Sequence, residues 1–248
     1  MRTGPRTSSA LIVSILCSLA WAGPGDAQDP PPPSPALVVA VSPGVYRLGA
    51  VTLDKTARQV RFPAVVNQTT GPVEYLLVGS QGKVHESVLR TDVEPMQVHT
   101  AMLLLGVESL IDKTTGATSR PPPAAIDADY LAAAPLPAGA SVVLLVRWHP
   151  TDGGPEVERR AETLVDDRRS KGAMADGFWL YNGSLIVEGR FEAAAEKSFA
   201  AVVTDPTALI NNPRPGHEDE TLWTAATTRL PAVGTHVEFI IQLPAPKS

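Results

Sequence analysis

Residues 73–106 read VEYLLVGSQGKVHESVLRTDVEPMQVHTAMLLLG. Two apolar runs, Glu74 to Val78 and Lys83 to Leu89, flank GlySerGlnGly, a pattern that predicts a β-hairpin. The hairpin leads into a predicted helix over 95–105. Pro95 suits the first turn, Asp92 and Glu94 put negative charge at the N-terminus, and Gly106 suits the stop. Four polar side chains, His85, Glu86, Ser87 and His99, are set into this apolar block, in a chain of 248 residues with only five histidines.

The same punctuation continues outward. Val51 to Leu53 and Gln59 to Val66 flank a polar turn, and AsnGlnThrThrGlyPro returns the chain from Val66 to Val73, so three strands are expected in hairpin succession. Ser141 to Trp148 and Val157 to Val165 lie either side of ThrAspGlyGly. Trp179 to Val187 contains AsnGly at 182 and 183, the strongest local hairpin signal because both turn positions want positive φ. Ser198 to Val203 and His236 to Leu243 read as further strands, with a short helix possible at Ala193 to Ala195 and a capped turn at Asp205. Residues 120–140 follow neither period and are expected to form a long surface excursion. The fold class expected is mainly β (α+β): antiparallel sheets built from successive hairpins, with one main α-helix.

The N-terminus predicts export. Arg2 and Arg6 form a basic region, and Ala10 to Ala22 (ALIVSILCSLAWA) is an apolar run shorter than a membrane span. Residues 1–22 read as a signal peptide cleaved before Gly23, with an alternative site before Gln28. Residues 23–36 form a proline-rich linker (DPPPPSP at 29–35), and 37–248 a single domain. Cleavage at either site removes Cys17, the one cysteine, leaving no disulfide and no thiolate cluster. No later segment is apolar enough to span a membrane. The net charge is −5, and no basic cluster is interleaved with aromatics, so nucleic acid is not an expected partner. The protein is expected to be periplasmic or secreted.

GlyLysValHisGluSer at 82–87, the His99 helix ending in LeuLeuLeuGly at 103–106, Trp179 with AsnGlySer at 182–184, AspPro at 205–206, AsnPro at 212–213 and the acidic run before Trp223 occur in an order that resembles the YdjY-like domain family. The resemblance covers about Leu53 to Leu243. It implies a β-rich fold and an exported bacterial protein, but no reaction. Relatives with cysteine motifs hold iron–sulfur clusters; this chain has no such motif, so no cluster is implied.

The candidate polar site comprises His85, Glu86, Ser87, His99, Glu218 and Asp219. On an undistorted strand, Glu86 shares the apolar face with Val84 and Val88, which makes it either a buried anchor or a functional acid. His85 and Ser87 share the other face, where a hydrogen-bonded pair would be the minimum for an activated hydroxyl. No GlyXxxSerXxxGly elbow accompanies them. His85, His99 and Glu86, with the 217–220 loop, offer imidazole and carboxylate ligands suited to zinc or another divalent metal, without any compact metal motif. Trp148, Trp179 and Trp223 would make a sugar-stacking platform if they converged at the surface. The reading adopted is a non-catalytic binding or structural module of the cell envelope, with no cofactor and an unknown envelope ligand or protein as partner. The competing reading is a divalent-metal-dependent enzyme built on His85, Glu86 and His99.

Overall fold

The computed structural model of the chain describes Met1 and residues 38–107, 139–150 and 153–245. The expected signal peptide and linker, and almost all of the 120–140 excursion, lie outside these residues. The chain falls into two units, Met1–Pro35 and Ala36–Ser248, and every strand and helix below belongs to the second.

In chain order the elements begin with β1 (Val38–Ser42), β2 (Val45–Leu48), β3 (Val51–Asp54), β4 (Gln59–Val66), β5 (Tyr75–Gly79), a 3-10 turn (Val84–Glu86), β6 (Ser87–Thr91) and α1 (Pro95–Leu104). Next come β7 (Ala140–Trp148), β8 (Val157–Arg160), a second 3-10 turn (Ala161–Leu164), β9 (Val165–Asp167), β10 (Gly172–Ala173), β11 (Trp179–Tyr181), β12 (Ile186–Val187) and β13 (Arg190–Phe191). The chain ends with α2 (Glu192–Glu196), β14 (Ser198–Ala201), β15 (Ile210–Asn211), β16 (Trp223–Ala225) and β17 (His236–Gln242). The class is mainly β, as the turn punctuation predicts.

β4 is the hub. Its residues alternate, with Val60, Phe62, Ala64 and Val66 buried while Arg61, Pro63 and Val65 face outward. One edge pairs with β17 along its length; the other is shared between β3 at residues 59–61 and β6 at 65–66. From β4 the sheet runs through β17, β7, β11, β15, β14 and β5 to β6, and the β6–β4 pairing closes these eight strands into a barrel. Closure removes the open edges that make β-sheets prone to aggregate. The interior is filled: Phe62 sits 5.9 Å from Phe199 and 5.5 Å from Phe239, centroid to centroid. β1, β2 and β3 continue the sheet past β4, outside the ring.

Three hairpin expectations are corrected. β5 and β6 are parallel neighbours, with Leu77 opposite Leu89, because residues 80–86 carry the chain back along β5 through a 3-10 turn. β4 pairs with β6 and β17, so the Val66–Val73 hairpin does not form. Asn182–Gly183 makes no hairpin either: both N–H groups bond to Leu209 O, and the tight turn lies at Glu188 and Gly189, with φ of 51° and 80°, between β12 and β13. The β3–β4 and β7–β8 hairpins form as expected. α1 follows its predicted bounds to within a residue, and Gly106, at φ 91°, ends it.

Candidate functional site

The loop before β6 decides what His85, Glu86 and Ser87 can do. Because 84–86 is a 3-10 turn and not a strand, the expected alternation is lost. The His85 side chain is 78 % exposed, 3.6 Å from the Glu86 carboxylate. Glu86 is partly exposed and 3.9 Å from Lys83, so it is not the buried anchor expected from strand periodicity. Ser87 is buried; its hydroxyl donates to Leu89 O at 2.7 Å, and its carbonyl accepts from the Asn67 amide at 2.8 Å. Ser87 therefore serves the backbone, and the His85–Ser87 pair is replaced by His85–Glu86.

His99 points to the core. Its Nδ1 shares a 2.7 Å hydrogen bond with the Tyr181 hydroxyl, and its ring packs 5.1 Å from Phe191. Burial pushes the imidazole down to about 4 and lifts the Tyr181 phenol well above its ordinary value. His99 is thus a neutral ring engaged by Tyr181, while His85 is engaged at the surface by Glu86. Among the described residues, no group of three or more His, Cys, Asp or Glu side chains is arranged to hold a metal ion.

The structure does join Glu86 to the acidic loop, through a residue the sequence reading passed over. Glu74, just before β5, is half-buried, and its carboxyl is held above the usual range by burial first, then by Glu86 and a side-chain hydrogen bond to Glu220, with Lys83 opposing. Beside it, the Tyr75 hydroxyl donates to Asp205 Oδ2 at 2.9 Å and accepts from Lys83 Nζ at 3.0 Å. Asp205 Oδ1 in turn caps Thr207 N at 2.8 Å. Asp219 is spent on a turn, accepting from Thr221 N and Oγ1 at 2.9 and 2.6 Å, which lowers its carboxyl. Glu218 lies 3.5 Å from His217 Nε2, and His217 Nδ1 meets Thr204 Oγ1 at 2.5 Å.

That hydroxyl, imidazole and carboxylate sequence has the connectivity of an activated nucleophile. Acyl transfer also needs donors aimed at a developing oxyanion. Here the N–H groups of Val203, Thr204, Asp205 and His217 are committed to Glu74 O, His217 O, Asn211 Oδ1 and Arg214 O. The arrangement anchors the 204–217 crossing.

A fully buried charge that no sequence pattern flagged sits at Glu162. Its Oε1 accepts from Arg214 Nη2 at 2.6 Å, Arg160 Nη2 at 2.7 Å and Gly177 N at 3.3 Å. The Arg214 guanidinium lies 5.2 Å over the Trp179 ring and bonds Asn212 Oδ1. Trp179 and Trp223 are 0 % and 1 % exposed, so the three tryptophans do not form the surface platform that carbohydrate stacking would need.

A groove of about 670 Å³ lies outside β4, β17 and β7, lined in part by Arg61, Arg147, His149, Glu156, His236 and Glu238. Its floor is a cross-strand ladder of alternating charge. Arg61 is 3.9 Å from Glu238, Arg147 is 3.3 Å from Glu238 and 2.7 Å from Glu158, and these carboxylates raise the Arg147 guanidinium. This groove could not be read from the sequence, because its walls come from the β3–β4 hairpin, β7 and β17, three regions distant in the chain.

A filled β-barrel with an external charged groove defines the class of protein. The YdjY domain model matches residues 51–242, and the chain belongs to that family. No curated protein and no solved structure matches the chain significantly.

Proposed function

We propose that this YdjY-domain protein is an exported, non-catalytic binding module of the cell envelope, and that the β4–β17–β7 groove receives its ligand. The groove carries this reading: it is a sizeable concavity whose walls present side chains of both charge signs, whereas the polar side chains singled out by sequence are largely occupied with each other or with the backbone. Walls of mixed sign suit a ligand that itself bears both, such as a short peptide or a muropeptide. Export is supported by the basic, apolar and small-residue order of residues 2–22.

The test is a thermal-shift screen of purified protein against short peptides and muropeptides. A stabilising shift that disappears in both Arg61→Ala and Arg147→Ala supports the groove; a shift that survives both substitutions, or none at all, overturns it. The proposal includes no resident metal. Protein purified without chelator should hold far less than one equivalent by elemental analysis, and a stoichiometric metal lost on replacing His85, Glu86 or His99 would establish the metal-enzyme reading instead.

A further inference from the structure

The groove continues past His236. A second cavity, of about 360 Å³, shares Ala50, Pro63 and His236 with it and extends onto β6. Strand register explains the continuity. His236 on β17 stands opposite Val65 on β4, and Val65 stands opposite Arg90 on β6, so the three form one row on the outer face, with the Cα atoms of Arg90 and His236 about 10 Å apart. The neighbouring row, two residues along β17 and about 7 Å away, sets Arg147 opposite Glu238 and Glu238 opposite Pro63. One extended ligand can cross both rows.

The second cavity differs from the groove in its unspent polarity. Arg61 and Arg147 each face a carboxylate. Half-buried Arg90 faces none: among the described residues its side chain bonds only to Ser80 Oγ, at 3.3 Å. Asp92 lines the same cavity, is exposed, and has no ion-pair partner among the described residues, whereas Glu94 is taken by Lys197 at 2.7 Å. The Gln97 amide and the His236 imidazole, also on the lining, make no side-chain hydrogen bond among the described residues. A guanidinium and a carboxylate two residues apart thus border one cavity without neutralising each other.

We propose that this cavity receives a zwitterionic α-carbon, its carboxylate on Arg90 and its ammonium on Asp92, as the anchored end of a ligand whose remainder lies along the β4–β17–β7 groove. The inference rests on the groove reading above and adds to it the chemistry of the ligand's end. Complementary charge carries it: a planar guanidinium takes a carboxylate through paired N–H groups, and the nearby Asp92, which would repel a simple anion, becomes an attraction once the ligand bears an ammonium on the same carbon. An ordinary linear peptide keeps these two groups at opposite ends. A free amino acid has both on one carbon, as does a peptide that ends in a residue joined through its side chain, such as the diaminodiacid of a muropeptide stem. The volume, near the lower end of the roughly 300–1,000 Å³ of small-ligand pockets, suits one residue and not a longer chain.

The test is isothermal titration calorimetry of the full chain with the tripeptide Ala-γ-Glu-diaminopimelate, its far α-centre left free, acetylated at the amine or amidated at the carboxyl. The free form should bind, and each blocked form should bind about tenfold more weakly or worse, as the loss of one charge-assisted contact implies. Arg90→Gln should erase the discrimination against the amide and keep that against the acetyl form; Asp92→Asn should do the reverse. Both side chains lie outside the core, so an unchanged melting temperature shows that each variant is folded, and a merely structural role would not give this matched pattern. Free diaminopimelate should bind more weakly than the tripeptide; equal affinity would assign the cavity to a free amino acid and overturn its place as the end of the groove. Equal binding of free and blocked tripeptides that is still lost in Arg61→Ala and Arg147→Ala overturns this inference and leaves the groove reading standing. Discrimination at the far centre that is indifferent to Arg61→Ala and Arg147→Ala overturns the groove reading and the link to it. No binding of any form overturns this inference, while the wider peptide screen decides the groove reading.

Discussion

His99 is 5 % exposed, and its imidazole is pushed down to about 4 from an ordinary 6.5. The unfolded chain therefore takes up a proton between pH 6.5 and 4 that the folded chain refuses, and stability falls as the pH drops through that window, by about 3 kcal/mol at most. Replacing His99 with Phe should flatten that part of the profile, as urea unfolding at pH 4.5 and 7 would reveal; an unchanged slope would place the acid sensitivity elsewhere. Glu162 and Glu86 should part company as sharply. Glu162→Ala strips the counter-charge from Arg214, whose side chain is 9 % exposed, and should cost about 3–5 kcal/mol. Glu86→Gln, at a partly solvated turn, should cost under about 1 kcal/mol, yet it should lower the Glu74 carboxyl, since Glu86 is one of the charges holding it up. Carbon-detected titration of Glu74 reads that shift directly. The sequence pointed to the correct neighbourhood for Glu86 and the acidic loop but to the wrong burial. Burial followed from a strand period that a 3-10 turn interrupts, and Glu162 became visible only when Arg160 and Arg214, 54 positions apart, met around it.

The elements most faithful to local sequence are those whose partners are close in the chain. β3–β4 and β7–β8 turn where glycine, aspartate and polar residues sit, and α1 begins at Pro95 and stops before Gly106. The mispaired elements are those where hydrogen bonding from afar prevailed. β5 is hydrogen-bonded to β14 on one side and β6 on the other, so the short 80–86 connection serves a parallel pair and not a hairpin. Gly139 belongs to the same category. A Cβ there would lie 2.5 Å from Tyr181 O and 2.8 Å from Tyr181 C, which leaves room only for glycine where β7 starts against β11. Gly139→Ala should destabilise by about 1–3 kcal/mol in denaturant unfolding, and a neutral result would show that the β7 start yields easily.

At the scale of the molecule, closure of eight strands predicts strong, uniform protection from hydrogen exchange in the central residues of β4, β7 and β17, and rapid exchange in β1, which lies outside the ring. Slow exchange in β1 at low concentration would contradict its peripheral place. We further expect N-terminal sequencing of exported material to begin at Gly23 or Gln28; retention of residues 1–22 would remove the basis for export. The sequence by itself determined the mainly β class, most of the strand positions and the one long helix, because these follow from side-chain period and turn chemistry within a few residues. The tertiary structure alone decided that the strands close into a barrel, that β5–β6 and β14–β15 run parallel, that His99 meets Tyr181, and that Arg61, Glu238 and Arg147 line one groove. Barrel closure, the His99–Tyr181 contact and the groove join residues well separated along the chain, and the two parallel pairings, though close in sequence, are set by neighbours that are not, β14 beside β5 and β11 beside β15; the energy that selects among them comes from burying the shared core, a sum over the whole fold that no local window contains.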